Sequence, residues 1–97
     1  MRNVIIRKEA ESDITDAYRW YEDKNPGLGG SFIQCVEDAL SRLSFNPNIY
    51  AYVHKNIRRS FIRKFPFGIY YLTENDMIIV MAVMHVRKDP KHWQRRT

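Results

Sequence analysis

Ten lysines and arginines fall within residues 49–97 of this 97-residue chain, against three acidic side chains, and they carry its plainest chemistry. Lys55, Arg58, Arg59, Arg63 and Lys64 form one group, and Arg87, Lys88, Lys91, Arg95 and Arg96 a second. Brought together by a fold, such a set would grip phosphates or an acidic partner by charge alone. Lysine and arginine also keep exposed strand edges from pairing with other chains, so a charge run does not by itself separate binding from solvation. His85 can exchange protons near neutral pH. At the end of an apolar run, however, it reads first as a hydrogen-bonded structural histidine. His92 has no defined partner. Trp93 reads first as packing area for a small core. Cys35 is the only cysteine, which rules out an intrachain disulfide and a cysteine-based zinc site, and its helical position places it in the core. No metal site and no cofactor are expected.

These groups need a scaffold, and the length allows one domain over residues 1–97. A 44% hydrophobic, 28% charged composition is that of a globular chain and argues against disordered, fibrous or membrane classes. The formal net charge of +5 divides unevenly: residues 1–48 carry six basic and eight acidic side chains, so the positive field belongs to the second half. No apolar stretch approaches the roughly 18 residues of a membrane span, and no signal segment is visible, so a cytoplasmic location is expected.

Val4-Ile5-Ile6 reads as a short strand. Glu9, Glu11 and Asp13 then load a helix start with the negative charge its dipole favours. Ala10, Ile14, Ala17, Tyr18 and Tyr21 recur at helical spacing until Asn25-Pro26-Gly27, with Trp20 at the flank of the stripe. Leu28, Phe32, Cys35, Val36, Ala39 and Leu43 share one face of a second helix, which Asn46-Pro47 stops. Beyond it, β-branched and aromatic residues predict strands over 49–53, 57–65, 67–73 and 77–86, the last two joined by the three-residue loop Glu74-Asn75-Asp76. Residues 77–84 are apolar throughout, which predicts an interior strand with both faces covered. The expected fold is α+β: an N-terminal strand, a helical hairpin, then a mostly antiparallel sheet. Arg58, Arg59, Arg63 and Lys64 would share one strand, with Arg58 and Arg59 on opposite faces.

Trp20-Tyr21-Glu22, Pro26-Gly27-Leu28-Gly29, Phe32, Asn46-Pro47, Arg58-Arg59, Phe65-Pro66-Phe67, Ile69-Tyr70-Tyr71, Val83-Met84-His85 and Arg87-Lys88-Asp89-Pro90 with Trp93 follow in order along nearly the whole chain. In this order and spacing the chain resembles the RelE/ParE toxin family. The resemblance implies a toxin of a bacterial type II toxin–antitoxin pair, of the kind often called a plasmid stabilisation protein, neutralised by a cognate acidic antitoxin.

RelE-like members of that family cut messenger RNA in the ribosome, whereas ParE-like members inhibit DNA gyrase by binding. Metal-free RNA cleavage needs a base for the 2′-hydroxyl, an acid for the leaving oxygen and cations around the phosphate. Arg63 and Arg87 resemble RelE-type basic groups, and with His85 they form the set that a nuclease would use. Where RelE-like nucleases tend to place a tyrosine, this chain has Trp93, which can stack but cannot exchange a phenolic proton. The expected reading is therefore a ParE-like gyrase inhibitor without a catalytic centre. Arg58, Arg59, Arg63, Lys64, Arg87, Lys88 and Trp93 would be its surfaces for target or antitoxin. The alternatives are a ribosome-dependent endoribonuclease and an inactive binding module of the same fold.

Overall fold

A computed structural model describes residues 2–96. Strand β1 (Asn3–Ile6) turns Val4 and Ile6 to the core. Helix α1 (Lys8–Lys24) buries Ala10 and Ala17 and carries Glu9 and Glu11 in its first turn and Lys24 in its last, as its dipole favours. The chain then reverses at Gly27, whose φ of 92° is left-handed and suits glycine. Glu22 secures the reversal: its carboxylate accepts the N–H of Gly27 at 3.0 Å and that of Gly29 at 3.0 Å. One helix thereby caps the orphan donors of the next, α2 (Leu28–Phe45). A side chain on Gly29 would lie 2.8 Å from the Tyr18 carbonyl oxygen, so its absence sets how closely the helices approach.

A 3-10 turn (Pro47–Ile49) leads to β2 (Tyr52–His54), β3 (Ile57–Phe61), β4 (Phe67–Glu74), β5 (Met77–His85) and the short α3 (Lys91–Gln94). The sheet order is β1-β5-β4-β3-β2, with β1 parallel to β5 and the remaining pairs antiparallel. The α+β expectation therefore holds. Phe32, Val36, Ala39 and Leu43 of α2 and Ala10 and Ala17 of α1 meet Ile69, Tyr71, Ile78, Val80 and Val83 on one sheet face. Among the described residues no helix is long and apolar enough to cross a membrane.

Several boundaries differ from the sequence expectation. The strand expected over 49–53 starts only at Tyr52 and runs to His54, because Pro47 starts a 3-10 turn through Ile49 and the Asn48 and Tyr50 carbonyls accept from Arg58. The strand expected over 57–65 ends at Phe61. Residues 62–66 bend instead, Lys64 taking a φ of 71°, so that the Phe65 ring reaches Tyr21 at 4.8 Å and Phe32 at 5.3 Å. Arg63 and Lys64 thus lie in a bend and not on the strand of Arg58 and Arg59. The β4–β5 loop has two residues, Asn75 and Asp76, both with positive φ, the type I′ geometry that matches strand twist. Helix α3 went unforeseen; its visible signal is Asp89-Pro90, where the Asp89 carboxylate accepts the Lys91 N–H at 3.0 Å.

The apolar run of β5 is interior, between β1 and β4, and both faces are covered. Its register steps from Tyr71↔Val80 to Tyr70↔Ala82, so Met81 is an extra residue. That bulge reverses the alternation, putting Ile78, Val80 and Val83 on the helical face and Ala82 and Met84 on the other. On that second face Trp93 stacks on Tyr70 at 4.5 Å.

The Tyr71 hydroxyl donates to the Pro47 carbonyl at 2.5 Å, pinning the 3-10 turn to the sheet. Burial pushes this phenol from 10.0 to about 12, against the opposing pull of the Arg58 charge. The unfolded phenol ionises first, so its contribution is complete below pH 10.0 and is lost as pH rises to about 12. The melting temperature should fall across that window in calorimetric scans, and Tyr71→Phe should flatten the fall. An unchanged slope in the variant would assign the alkaline loss elsewhere.

Candidate functional site

The basic groups gather at the end of the sheet where β3 leaves, β4 begins and β5 ends. Val86 N–H donates to the Pro66 carbonyl at 2.9 Å and Phe67 pairs with His85, which sets the 62–66 bend beside the segment after β5. Arg63 and Lys64 on the bend thereby share one end of the sheet with Arg87 and Lys88, all exposed. Among the described residues there are two ion pairs, Arg42 with Asp38 and Arg96 with Asp13, and neither involves these four cations. Their charge is left to solvent or to a partner.

Arg58 and Arg59 diverge as their alternation requires. Arg58 turns inward, donating to Asn48 and Tyr50 carbonyls at 3.0 and 2.6 Å and to the Tyr52 hydroxyl at 2.8 Å while its guanidinium lies 3.9 Å from the Tyr52 ring centre. Arg59 lies on the sheet face away from the helices, 4.6 Å from the Phe61 ring centre. Gly68 makes that possible, since a side chain there would come within 2.9 Å of the Arg59 Cδ. Trp93 is 4% exposed and engaged with Tyr70, Ile57, Ala82 and Met84. Of the seven sequence candidates, then, Arg63, Lys64, Arg87 and Lys88 share one end of the sheet, Arg59 is half-buried on the face away from the helices, and Arg58 and Trp93 serve packing.

His85 sits edge-on to Phe67, with ring centres 5.7 Å apart, and its Nδ1 accepts the Arg87 N–H at 3.0 Å. It faces a groove of about 490 Å³ between α1 and β5. Ala17, Trp20 and Tyr21 form one wall, and Phe67, Val83 and His85 the other, with Asp16 and Lys88 at the rim. Neither Arg63 nor Arg87 lines it, so this groove holds only one of the three groups a nuclease would use.

The groove exists because β1 stops early. Its last pair is Ile6 with Val80, and Arg7 N–H adds one bond to the Val80 carbonyl at 3.1 Å before the chain turns into α1. At the Met81 bulge a side-chain clasp takes over. Asp13 Oδ2 accepts the Val83 N–H at 3.0 Å, and both Asp13 oxygens accept from the Arg96 guanidinium, at 2.6 and 3.2 Å. Arg96 also donates to the Met81 carbonyl at 3.1 Å. Sequence reading missed this pair, taking Asp13 only as helix-start charge and Arg96 only as part of a basic tail. It also missed the Glu22 cap, whereas Trp20, which the flank of the α1 stripe left open as core or partner contact, is exposed and forms the groove wall with Ala17. Among the described residues no group of three or more His, Cys, Asp or Glu side chains could hold a metal ion.

A helical hairpin on one face of a five-stranded sheet, with a basic sheet end and a groove beside a half-open interior strand, defines a small α+β protein of the RelE/ParE kind. Residues 4–90 match the family described as the ParE toxin of the type II toxin–antitoxin system parDE, and the chain belongs to that family. Toxin ParE2 of Mycobacterium tuberculosis, in strains CDC 1551 / Oshkosh and ATCC 25618 / H37Rv, is 27% identical over 90 residues, covering 92% of this chain and 86% of that protein. The fold is shared with a solved structure titled the chromosomal ParDE TA system from P. aeruginosa, with a TM-score of 0.80 at 16% identity, covering 90% of this chain and 98% of the other.

Proposed function

We propose that this protein is the toxin of a type II toxin–antitoxin pair, that it acts in the cytoplasm as a single domain by binding DNA gyrase, and that an acidic cognate antitoxin neutralises it. Family membership supports the toxin role. The observation that carries binding over cleavage is the placement of His85. Its Nδ1 is bonded to the backbone and its ring faces the α1 groove, while Arg63 and Arg87 lie outside that groove. Acid–base cleavage needs its proton-transfer group and its cations around one phosphate, whereas a binding surface needs only exposed, unpaired charge. Arg63, Lys64, Arg87 and Lys88 supply the latter.

Purified gyrase tested for supercoiling with added protein checks the target. Supercoiling should be lost as the protein is titrated in, and Arg63→Ala and Arg87→Ala should each weaken the effect by a graded few-fold, because no single contact carries a chemical step. Mapping of messenger RNA 5′ ends in cells expressing the protein is the opposing measurement. Codon-positioned cuts that vanish in Arg63→Ala would replace this reading with the nuclease one.

A further inference from the structure

Charge is divided between the two layers of the fold. All eight acidic side chains of residues 1–48 lie on α1 or α2, against four basic ones on those helices. Of the three acidic residues in the second half, Glu74 and Asp76 sit at the β4–β5 turn, at the far end of the sheet from the 62–66 bend, and the Asp89 carboxylate is engaged by the Lys91 N–H. The sheet face turned away from the helices is therefore the positive side of the molecule. Among the described residues neither ion pair involves Arg59, Arg63, Lys64, Arg87 or Lys88.

Arg59 is the fixed point of that face. Its side chain lies across Gly68, where a Cβ would come within 2.9 Å of its Cδ, and its guanidinium stands 4.6 Å from the Phe61 ring centre and 6.0 Å from that of Tyr70. Nothing accepts from its buried Nε. A guanidinium already held by packing loses little further freedom on binding, and its planar fork suits phosphate oxygens. Lys91 and Arg95 stand two residues to either side of Trp93, so with Trp93 packed on the sheet both turn to solvent, and both are exposed.

The face offers contact to a backbone and little to bases. Proteins that hold single strands do so with rows of open rings. Here Tyr70 and Trp93 are 1% and 4% exposed and stacked on each other, and Phe61, 57% exposed, makes no row with them.

We propose that the sheet face away from the helices binds the phosphate backbone of duplex DNA, with Arg59 as its anchor, Arg63, Lys64, Arg87 and Lys88 at the sheet end, and Lys91 and Arg95 as outlying contacts on α3. The choice of a duplex rests on the gyrase reading above, since gyrase holds one. The carboxylates of the helical layer turn that layer away from the same polyanion and so orient the protein on it.

Anisotropy of a labelled duplex of about 20 base pairs, titrated with the full-length protein from about 50 to 200 mM salt, reads the contact, because each neutralised phosphate adds about 0.9 to the slope of log affinity against log salt. Arg87→Ala combined with Lys88→Ala should flatten that slope by about 2, and Arg59→Gln by about 1. Lys8→Ala combined with Arg19→Ala, on the helical layer, should leave it unchanged. Arg87 and Lys88 are exposed, so their variant reads the contact even where Arg59→Gln disturbs packing. Equal flattening by the helical pair would overturn the face. Single-stranded RNA of the same length, bound about tenfold more tightly than the duplex, would overturn DNA in favour of RNA. Loss of gyrase supercoiling without duplex binding at the lowest salt would overturn the DNA contact and leave the gyrase reading standing. Duplex binding through this face with supercoiling intact would uphold the contact and remove gyrase as the target, and neither effect would overturn both.

Discussion

Phe32→Ala is expected to lower the unfolding free energy by about 3–5 kcal/mol, enough to leave a chain of this size barely folded. Phe32 is 0% exposed and stands where the helical hairpin meets the sheet. Its ring centre lies 5.4 Å from Tyr21, 5.3 Å from Phe65 and 5.1 Å from Phe67. These rings come from α1, from the 62–66 bend and from β4, so the cavity left by alanine would be bordered by elements that cannot close on it together. Tyr21 and Phe67 also line the groove, so its walls should loosen along with the loss of stability. Urea unfolding followed by circular dichroism measures the loss, with Phe32→Leu as a milder comparison. A loss under about 1 kcal/mol would mean that this junction repacks freely and that the aromatic cluster is not what joins the layers.

Breaking the Asp13–Arg96 clasp is expected to cost about 2–3 kcal/mol from either side. The figure is discounted from the range for fully buried pairs because the two side chains keep 14% and 21% exposure. Asp13→Ala strands the Val83 N–H and leaves the Arg96 guanidinium without its carboxylate. Arg96→Ala leaves the carboxylate holding one backbone donor and frees the Met81 carbonyl. Because each change damages the same small network, the double variant should lose less than the sum, with a coupling of about 1–2 kcal/mol. The coupling should survive raised salt better than that of the exposed Arg42–Asp38 pair. Full additivity would show that the two residues stabilise the bulge independently.

The clasp and the basic end of the sheet also mark how far the sequence could be read. Val4-Ile5-Ile6, the two helical stripes and the apolar run over 77–84 were legible because their periods of two and 3.6 express local burial, which needs no knowledge of the partner element. The family was legible as well, through turn and stop signals whose order along the chain survives low overall identity. The basic candidates were legible only as a set. That Arg63, Lys64, Arg87 and Lys88 share one end of the sheet follows from the Val86–Pro66 bond and the bend at 62–66, and no period in the sequence encodes either. Arg58 and Trp93 looked equally available, yet one is drawn inward by carbonyls at 48 and 50 and the other is stacked under Tyr70.

By itself, then, the sequence determined the element order, the helical hairpin, an interior fifth strand and the location of the positive field in the second half of the chain. Each of these rests on contacts or charges close along the backbone. Tertiary structure alone decided the Met81 bulge, the clasp between residues 13 and 96, the half-open edge of β5 and the choice of cations that remain unpaired. The reason is that hydrogen bonds and ion pairs between distant segments form only after several elements have packed. A residue's type states which bonds it can make, and the fold states which of them are already taken.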